Sequence, residues 1–517
     1  MARLARLPLL ALILWAWSPD PAPARDAVPS PLARPPDSVH ARNVVVILSD
    51  DHAAYATGAY GSDVARTPNL DRLARRGMRF DRAYAPSPMC TPSRQAILTG
   101  RYPHATGVTL LRTALSDTTL TLAEHLRRRG YATGAIGKMH FNSDRRHGFA
   151  ERVDREDYRS HLAEDPPRPP PDSVTPRPDW RPFSDPARVW LNAAGRPSPR
   201  YEEDSEGTFY ARRAADFLDR HRDEPFCLWV SFREPHSPFN FPIEYAGRYD
   251  PDQMPLPERG PEDARWMPDE FSDLSDAEKR GIIASYYTSV EYMDRNVGRV
   301  LDALAERGLA DNTLVIYAGD HGYLLGHHGR FEKHMMWEEA VRSPLLIRAP
   351  GGTAAATDAL TSLVDLAPTI LEVLDEPRLP HGQGLSLVPL LEGRADELRG
   401  SVFSEYLPDN KAMIRTERWK YVFTTGTSDL AGGYETGLGP SGIDHRLYDL
   451  QTDPGETNNL AGDPQYSGVL KSMQIRMLEH FLHTHPRADA LPDPLSLTGS
   501  LAWFCMPPER RDAWFVP

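Results

Sequence analysis

Cys90 lies in the run Pro88-Met89-Cys90-Thr91-Pro92-Ser93-Arg94, and the residue types around it suit a reactive site. Pro92 and the helix-compatible residues after it place Cys90 at or just before a helix N-terminus, where free N–H groups and the helix dipole favour an anion. A thiol there is expected to have a lowered pKa and to be able to act as a nucleophile. Arg94 follows one turn later on the same side. The competing reading, a buried structural cysteine, suits Cys227 in its apolar strand and leaves Cys505 undecided, but it does not account for Arg94. A second constellation is carboxylic: Asp50-Asp51 and Asp320-His321 each follow an apolar run. Taken alone, each pair reads as a helix cap or turn. Brought to one sheet edge, three carboxylates would repel one another unless a divalent cation neutralised them.

The elements that must position these residues can be read from the hydrophobic pattern. Asn43-Val44-Val45-Val46-Ile47-Leu48 is a continuous apolar run of the kind found in a strand buried on both faces. Thr67 to Gly77 carries a cap residue, an early proline and a terminal glycine, which together predict a helix. Helices over about Leu120–Arg129, Phe209–Arg220, Ile282–Glu306 and Leu363–Leu374 alternate with strands over Tyr131–Gly137, Pro225–Phe232, Thr313–Ala318 and Leu345–Arg348. Alternation of this kind predicts an α/β fold with a large, mainly parallel sheet flanked by helices. Ligands then gather at the carboxyl ends of the strands, where both acidic pairs fall. From about residue 400 short alternating segments such as Trp419-Lys420-Tyr421-Val422-Phe423 predict a smaller α+β subdomain. We therefore expect a catalytic domain over 42–395 and a C-terminal subdomain with tail over 396–517. Eleven prolines between Pro166 and Pro199 exclude a helix or central strand there, leaving a surface excursion that is either linker-like or shapes a substrate cleft.

Composition narrows the function classes. The 517 residues are 40% hydrophobic and 25% charged, as in globular proteins, and the net charge of -13 argues against a nucleic-acid binder. Three cysteines cannot build a disulfide framework. Arg3 and Arg6, the apolar run Leu7 to Trp17 and Ala22-Pro23-Ala24 read as a signal peptide over 1–24, followed by a linker over 25–41. The expectation is an exported protein, periplasmic or secreted, without a stable membrane span.

Cys90-Thr91-Pro92-Ser93-Arg94 matches the C-x-P-S-R signature of the type I sulfatases of the alkaline phosphatase superfamily, which the chain resembles over about Asn43 to Pro350. Asp50-Asp51, Gly137-Lys138-Met139-His140, Pro235-His236, Gly319-Asp320-His321-Gly322 and Lys333-His334 appear in that family's order, and His321 and Phe141 are similar to the subset of iduronate-2-sulfatase and choline sulfatase. The resemblance implies an alkaline phosphatase-like fold and hydrolysis of sulfate esters, on a small molecule or oligosaccharide, through a formylglycine-sulfate intermediate. It implies that a maturation enzyme oxidises Cys90 to formylglycine, and that Asp50, Asp51, Cys90, Asp320 and His321 hold one Ca2+, with Mn2+ or another divalent ion compatible with His321. By the same match, Arg94 and Lys138 fix the formylglycine, His140 takes its second proton, His236 and Lys333 bind sulfate oxygens, and His236 protonates the leaving alcohol. Read singly, Lys138, His140 and His236 suit solvent-facing or loop positions; their occurrence with the Cys90 motif favours the catalytic reading. His327, His328 and His334 fit a lining loop equally well. Two alternatives stand beside a carbohydrate sulfatase: a phosphonate monoester or phosphodiester hydrolase of the same superfamily, and an unmatured sulfatase-like binding protein. The resemblance sets the Lys138, His140 and Asp51 pattern on the side of sulfur.

Overall fold

The computed structural model describes residues 39–178, 186–352, 354–426 and 442–506. The expected signal peptide, most of the linker, and Trp514 and Phe515 of the tail lie outside the described residues. Strand β1 (Asn43–Asp50) is buried along its whole length, as its unbroken run of apolar residues requires. After it come α1 (Pro68–Ala74), β2 (Met78–Phe80), α2 (Cys90–Thr99), α3 (Leu122–Arg128), β3 (Ala132–Gly137), β4 (Glu151–Val153), α4 (Glu206–His221) and β5 (Phe226–Pro235). Helix α5 (Asp276–Glu306), β6 (Thr313–Gly319), β7 (Leu345–Arg348) and β8 (Ala355–Thr357) complete the catalytic layer. Helix α5 starts six residues earlier than the apolar periodicity suggests, because Ser275 and Glu278 form a capping box ahead of the apolar stretch.

The eight strands run in the order β4-β3-β5-β1-β6-β7-β2-β8. Neighbours from β4 to β6 are parallel, β7 is antiparallel to both β6 and β2, and β2 and β8 are parallel. The mainly parallel sheet is thus as expected. Alternate residues of the central strands enter two cores. Val45, Ile47, Leu228, Val230, Val315 and Tyr317 face α4 and α5, whereas Val44, Val46, Leu48, Trp229, Leu314 and Ile316 face α2, α3 and Leu366 to Val373. Full burial of such side chains stabilises by roughly 1.5–3 kcal/mol each, so the middle of the sheet is a rigid platform for whatever its carboxyl edge carries.

The C-terminal layer is a four-stranded antiparallel sheet, β9 (Val402–Tyr406), β10 (Lys411–Arg415), β11 (Trp419–Thr424) and β12 (Asp444–Asp449). Phe403, Ile414, Tyr421 and Phe423 on one face pack with Met477 and Phe481 of α6 (Ser467–Thr484) and with Trp503 and Phe504 of α7 (Leu497–Phe504). Trp503 and Phe504 are thus core residues. Cys505 is buried beside them and Cys227 lies inside β5. The opposite face of the sheet, through Val402, Tyr406, Met413 and Val422, meets Tyr84, Met89 and Met336 of the catalytic layer. No helix among the described residues is long and apolar enough to cross a membrane.

His328 sits at the junction of loop and core, 2.9 Å from Asp263 and 3.7 Å from Glu339, stacked on Trp337. Burial opposes its protonation, but the two carboxylates outweigh burial and raise it from 6.5 to about 9. Its stabilising contribution should be complete below about pH 6.5 and lost as pH rises through about 9, of order 3 kcal/mol in all. Thermal unfolding of wild type and His328→Gln across pH 6 to 10 checks this. The variant should lose the decline that wild type shows in that window, and parallel curves would refute it.

Candidate active site

The four neighbouring parallel strands β3, β5, β1 and β6 deliver the expected groups to one edge. Lys138 follows β3, His236 follows β5, Asp50 ends β1 with Asp51 next, and Asp320 and His321 follow β6. Register enforces the alignment: Gly137 pairs with Ser231, Asp50 with Pro235, and Ser49 with Gly319. The chain turns sharply at these ends. Asp51 and His140 both have left-handed backbone, with φ of 64° and 59°, and Gly137 has φ of 94°. A Cβ on Gly137 would lie 2.0 Å from the Ser231 carbonyl oxygen, so only glycine lets β3 and β5 approach here.

Cys90 is the first residue of α2, as the motif suggested, and its side chain lies among these groups. Its Sγ lies 3.3 Å from His321 Nε2, 3.5 Å from Lys333 Nζ and 3.9 Å from Asp51 Oδ1. The expectation of a lowered thiol pKa is wrong. Complete burial, then the Asp50 charge, pushes the Cys90 thiol well up, and these outweigh Lys138, Lys333 and the helix start. A helix terminus lowers a thiol pKa in partial exposure; desolvation beside carboxylates reverses the sign.

The carboxylates are held by cations. Arg94 Nε donates to Asp320 Oδ2 at 2.7 Å, and its Nη2 lies 3.6 Å from Asp50 Oδ1. Lys138 Nζ donates to Asp50 Oδ2, and Lys333 Nζ to Asp51 Oδ1 at 2.5 Å. Burial alone would raise Asp50, but Lys138, His236, Arg94 and Lys333 together hold it well below the usual carboxylate range. Asp51 is shifted the other way, raised by burial and by the neighbouring Asp50 and Asp320 despite Lys333. His236 donates from Nδ1 to the Ser237 carbonyl at 2.7 Å, which turns Nε2 toward Asp51 Oδ2, 3.9 Å away. Burial, then Lys333, keeps it well below its ordinary value. His140 lies within the field of Lys138, Arg94 and Asp50, lowered by burial first, with Nδ1 buried and unpartnered. The structure therefore brings together Asp50, Asp51, Cys90, Arg94, Lys138, His140, His236, Asp320, His321 and Lys333. It leaves out His327, which packs on Tyr55, His328 on Trp337, and His334, which stacks on Tyr406.

The donor set fits a divalent cation. Ligand atoms of Asp50, Cys90, Asp320 and His321 lie within 4.8 Å of one another, as do those of Asp50, Asp51, Cys90 and His236. Ligands bound at 2.3–2.6 Å to one ion cannot be further apart than about 5 Å. Asp50 Oδ1 is buried without a hydrogen bond, a lone pair free for such an ion.

Three supporting residues escaped the sequence reading. Ser231 Oγ accepts from Arg94 Nη1 at 2.5 Å and donates to the Lys138 carbonyl at 2.7 Å; Ser93 Oγ donates to the Asp320 carbonyl at 2.5 Å; Tyr286 donates to the Asp51 carbonyl at 2.7 Å. Their only available signal was position: Ser93 inside the Cys90 motif and Ser231 near the end of β5.

Comparison with known proteins agrees with this geometry. A family profile described as Sulfatase matches residues 42–376, and one described as N-sulphoglucosamine sulphohydrolase, C-terminal, matches 326–482. A choline-sulfatase of Rhizobium meliloti is 30% identical over 448 residues, covering 82% of this chain and 83% of that protein. An N-acetylglucosamine-6-O-sulfatase of Bacteroides thetaiotaomicron is 27% identical, covering 84% and 85%. Among solved structures, a phosphonate monoester hydrolase from Silicibacter pomeroyi superposes with a TM-score of 0.71 at 26% identity, over 87% of this chain and 97% of that one.

Titrating chelator-treated protein with Ca2+ should raise its melting temperature, by a stability gain of about 2.7 kcal/mol at one hundred times Kd. Asp50→Ala and Asp320→Ala should each abolish the rise. If none of Ca2+, Mn2+ or Zn2+ shifts the wild-type transition, the cluster is not a metal site.

Proposed function

The chain belongs to the sulfatase family and is a sulfuric ester hydrolase, and on that premise we propose that it cleaves sulfated carbohydrates by way of a formylglycine made from Cys90, with Ca2+ bound by Asp50, Asp51, Asp320, His321 and the matured residue 90. The observation that carries this reading is Cys90 itself. It sits at the centre of the carboxylate and cation cluster, 3.3 Å from His321 Nε2 and 3.5 Å from Lys333 Nζ.

When present, the cation and the hydrated formylglycine would supply, respectively, Lewis acidity toward oxygen and an oxygen nucleophile at position 90. The remaining roles belong to side chains already in place. Lys333, 3.5 Å from Cys90 Sγ, is set to receive a sulfate oxygen, and His236 Nε2 faces the same space. Because Nδ1 of His236 is engaged with the Ser237 carbonyl, Nε2 is the nitrogen that faces the departing alcohol oxygen, and it serves as the acid in the imidazolium form, which a bound anionic ester beside it would favour. Arg94 and Ser231 both bind the Lys138 main-chain carbonyl and so fix where Lys138 leaves β3. Burial keeps His140 neutral, the form that can accept a proton released from residue 90.

The carbohydrate substrate is supported by the relative named as an N-acetylglucosamine-6-O-sulfatase. Export is part of the same proposal, resting on the N-terminal Arg3, Arg6 and Leu7–Trp17 pattern. A second reading, hydrolysis of phosphonate monoesters, is favoured by the structural likeness to the Silicibacter enzyme.

Mass spectrometry of the peptide containing Cys90, from protein made with its maturation partner, should show a loss of about 18 Da as thiol becomes aldehyde. Cys90→Ala should remove at least about three orders of magnitude of kcat/KM on a sulfate ester. Unmodified thiol with full activity would overturn the proposal, and stronger turnover of a matched phosphonate ester would transfer it to the second reading. His236→Ala should slow alkyl sulfates far more than activated aryl sulfates, since only the former need a proton on the leaving oxygen. Equal slowing of both would remove His236 from the acid role.

A further inference from the structure

Beside the catalytic cluster runs a groove that the sulfate chemistry does not use. Its inner wall is Gly137 to His140, the turn that carries Lys138 and His140 into the centre, and its outer wall includes Arg152, Arg155 and Arg233. The cavity measures about 450 Å3, within the roughly 300–1,000 Å3 of small-molecule pockets. A second cavity of about 170 Å3 continues from it, sharing Arg155 and Glu206 and adding Arg177 and Arg200.

Arg233 is tied to the catalytic centre by the backbone. It lies near the end of β5, and the His236 N–H donates to its carbonyl at 2.9 Å. Its guanidinium and that of Arg155 share a single counter-ion, Glu206, at 3.9 and 4.0 Å. Glu206 already accepts from the Tyr210 hydroxyl at 2.9 Å, and among the described residues neither guanidinium forms a hydrogen bond. By contrast Arg152 is engaged with Asp154 at 3.2 Å, and Lys138 with Asp50. Over both cavities the remaining ionisable lining is balanced, with Arg155, Arg177, Arg200 and Arg233 facing Asp144, Glu156, Glu206 and Glu234, so what sets the groove apart is the pair of guanidinium groups that share one carboxylate.

The proline-rich excursion builds the outer end. Arg177 donates to Asn240 Oδ1 at 2.8 Å and pairs backbone with Pro197, Ser198 N–H donates to the Phe241 carbonyl at 2.9 Å, and Arg168 stacks over Tyr201 at 3.6 Å. Prolines pre-set this path without needing ladder partners, so the segment can be held as a wall. Of the two readings of the excursion, its described part supports the cleft-shaping one.

We propose that this groove is the subsite for a second anionic group of the substrate, a sulfate or a carboxylate on the sugar beyond the scissile ester, with Arg233 and Arg155 as its direct contacts. The inference rests on the sulfatase reading and narrows its substrate class to sugars with at least two negative charges. Planar guanidinium groups lacking a tight partner match oxyanion geometry, and the groove adjoins the cluster through Lys138 and His140, which line it.

The test is kcat/KM of the matured enzyme on four esters: a neutral monosulfated sugar, the same sugar with a second sulfate, one carrying a carboxylate, and choline sulfate, whose alcohol is cationic. One of the two dianionic sugars should exceed the neutral one at least tenfold, and choline sulfate should be the poorest. In Arg155→Gln/Arg233→Gln the ratio of dianionic to neutral should fall at least tenfold, and raising salt from 50 to 300 mM should shrink it in wild type. Calorimetric binding to Cys90→Ala protein reads the same ratio without turnover. A wild-type ratio near one, or a ratio the double variant leaves untouched, overturns the subsite. No turnover of any ester, with selective binding retained, would instead strike the hydrolase reading.

Discussion

Three carboxylates buried on one sheet edge are the constraint from which the rest of the site follows. Asp50, Asp51 and Asp320 are at most 1% exposed and are brought together by two adjacent parallel strands, so their mutual repulsion acts in a poorly screened interior. Each has a cationic partner from a different part of the chain: Arg94 from α2, Lys138 from the end of β3, Lys333 from the loop after β6. Removing one partner from such a cluster leaves an uncompensated buried charge, typically a cost of 3–5 kcal/mol. The groups that would handle an anionic ester are therefore also those that allow the sheet edge to fold. Four adjacent parallel strands make this possible because their carboxyl ends point the same way, and the left-handed residues Asp51 and His140 turn the chain back at once.

Much of this could be read from residue order alone. A strand buried on both faces must be apolar throughout, so Val44 to Leu48 announced β1, and the polar residues that end such a run have to sit at the sheet edge. The motif from Cys90 to Arg94 placed a helix start and a cation one turn apart, which α2 reproduces. Failure came where three-dimensional burial decides. The thiol at a helix start was expected to be acidic, and desolvation together with Asp50 makes it the reverse. Nothing local in the sequence reports how deeply an N-terminal turn is sunk. Ser231 and Tyr286 were missed for a related reason: hydroxyls inside a strand and a helix look like ordinary core-edge residues until the chain crossing them is known. The same holds for Arg233, which alternation along β5 places on the face of Cys227 and Trp229 with no sign that a groove opens there.

The C-terminal layer closes the arrangement from the other side. Its antiparallel sheet must bury both faces, one under α6 and α7 and one against the catalytic layer. Met89, immediately before Cys90, belongs to that second contact, and so do Tyr84 and Met336. Helix α2 is thus clamped at its start by apolar packing rather than by a side-chain cap, since Met89 offers none. Position 90 is held by contacts from both layers, and a change in the C-terminal sheet can be felt there without touching it.

Net charge and local charge now separate cleanly. A chain with thirteen more acidic than basic residues repels anions at long range, but within a Debye length of about 8 Å only nearby groups count. Inside that radius the cationic side chains bound to Asp50, Asp51 and Asp320 are already committed, so they cannot also draw a distant anionic substrate with their full charge. Arg155 and Arg233, loosely tied to one shared carboxylate, are not committed in that way. An anionic group placed in the groove can therefore pair with Arg155 and Arg233 without breaking the ion pairs that hold Asp50, Asp51 and Asp320.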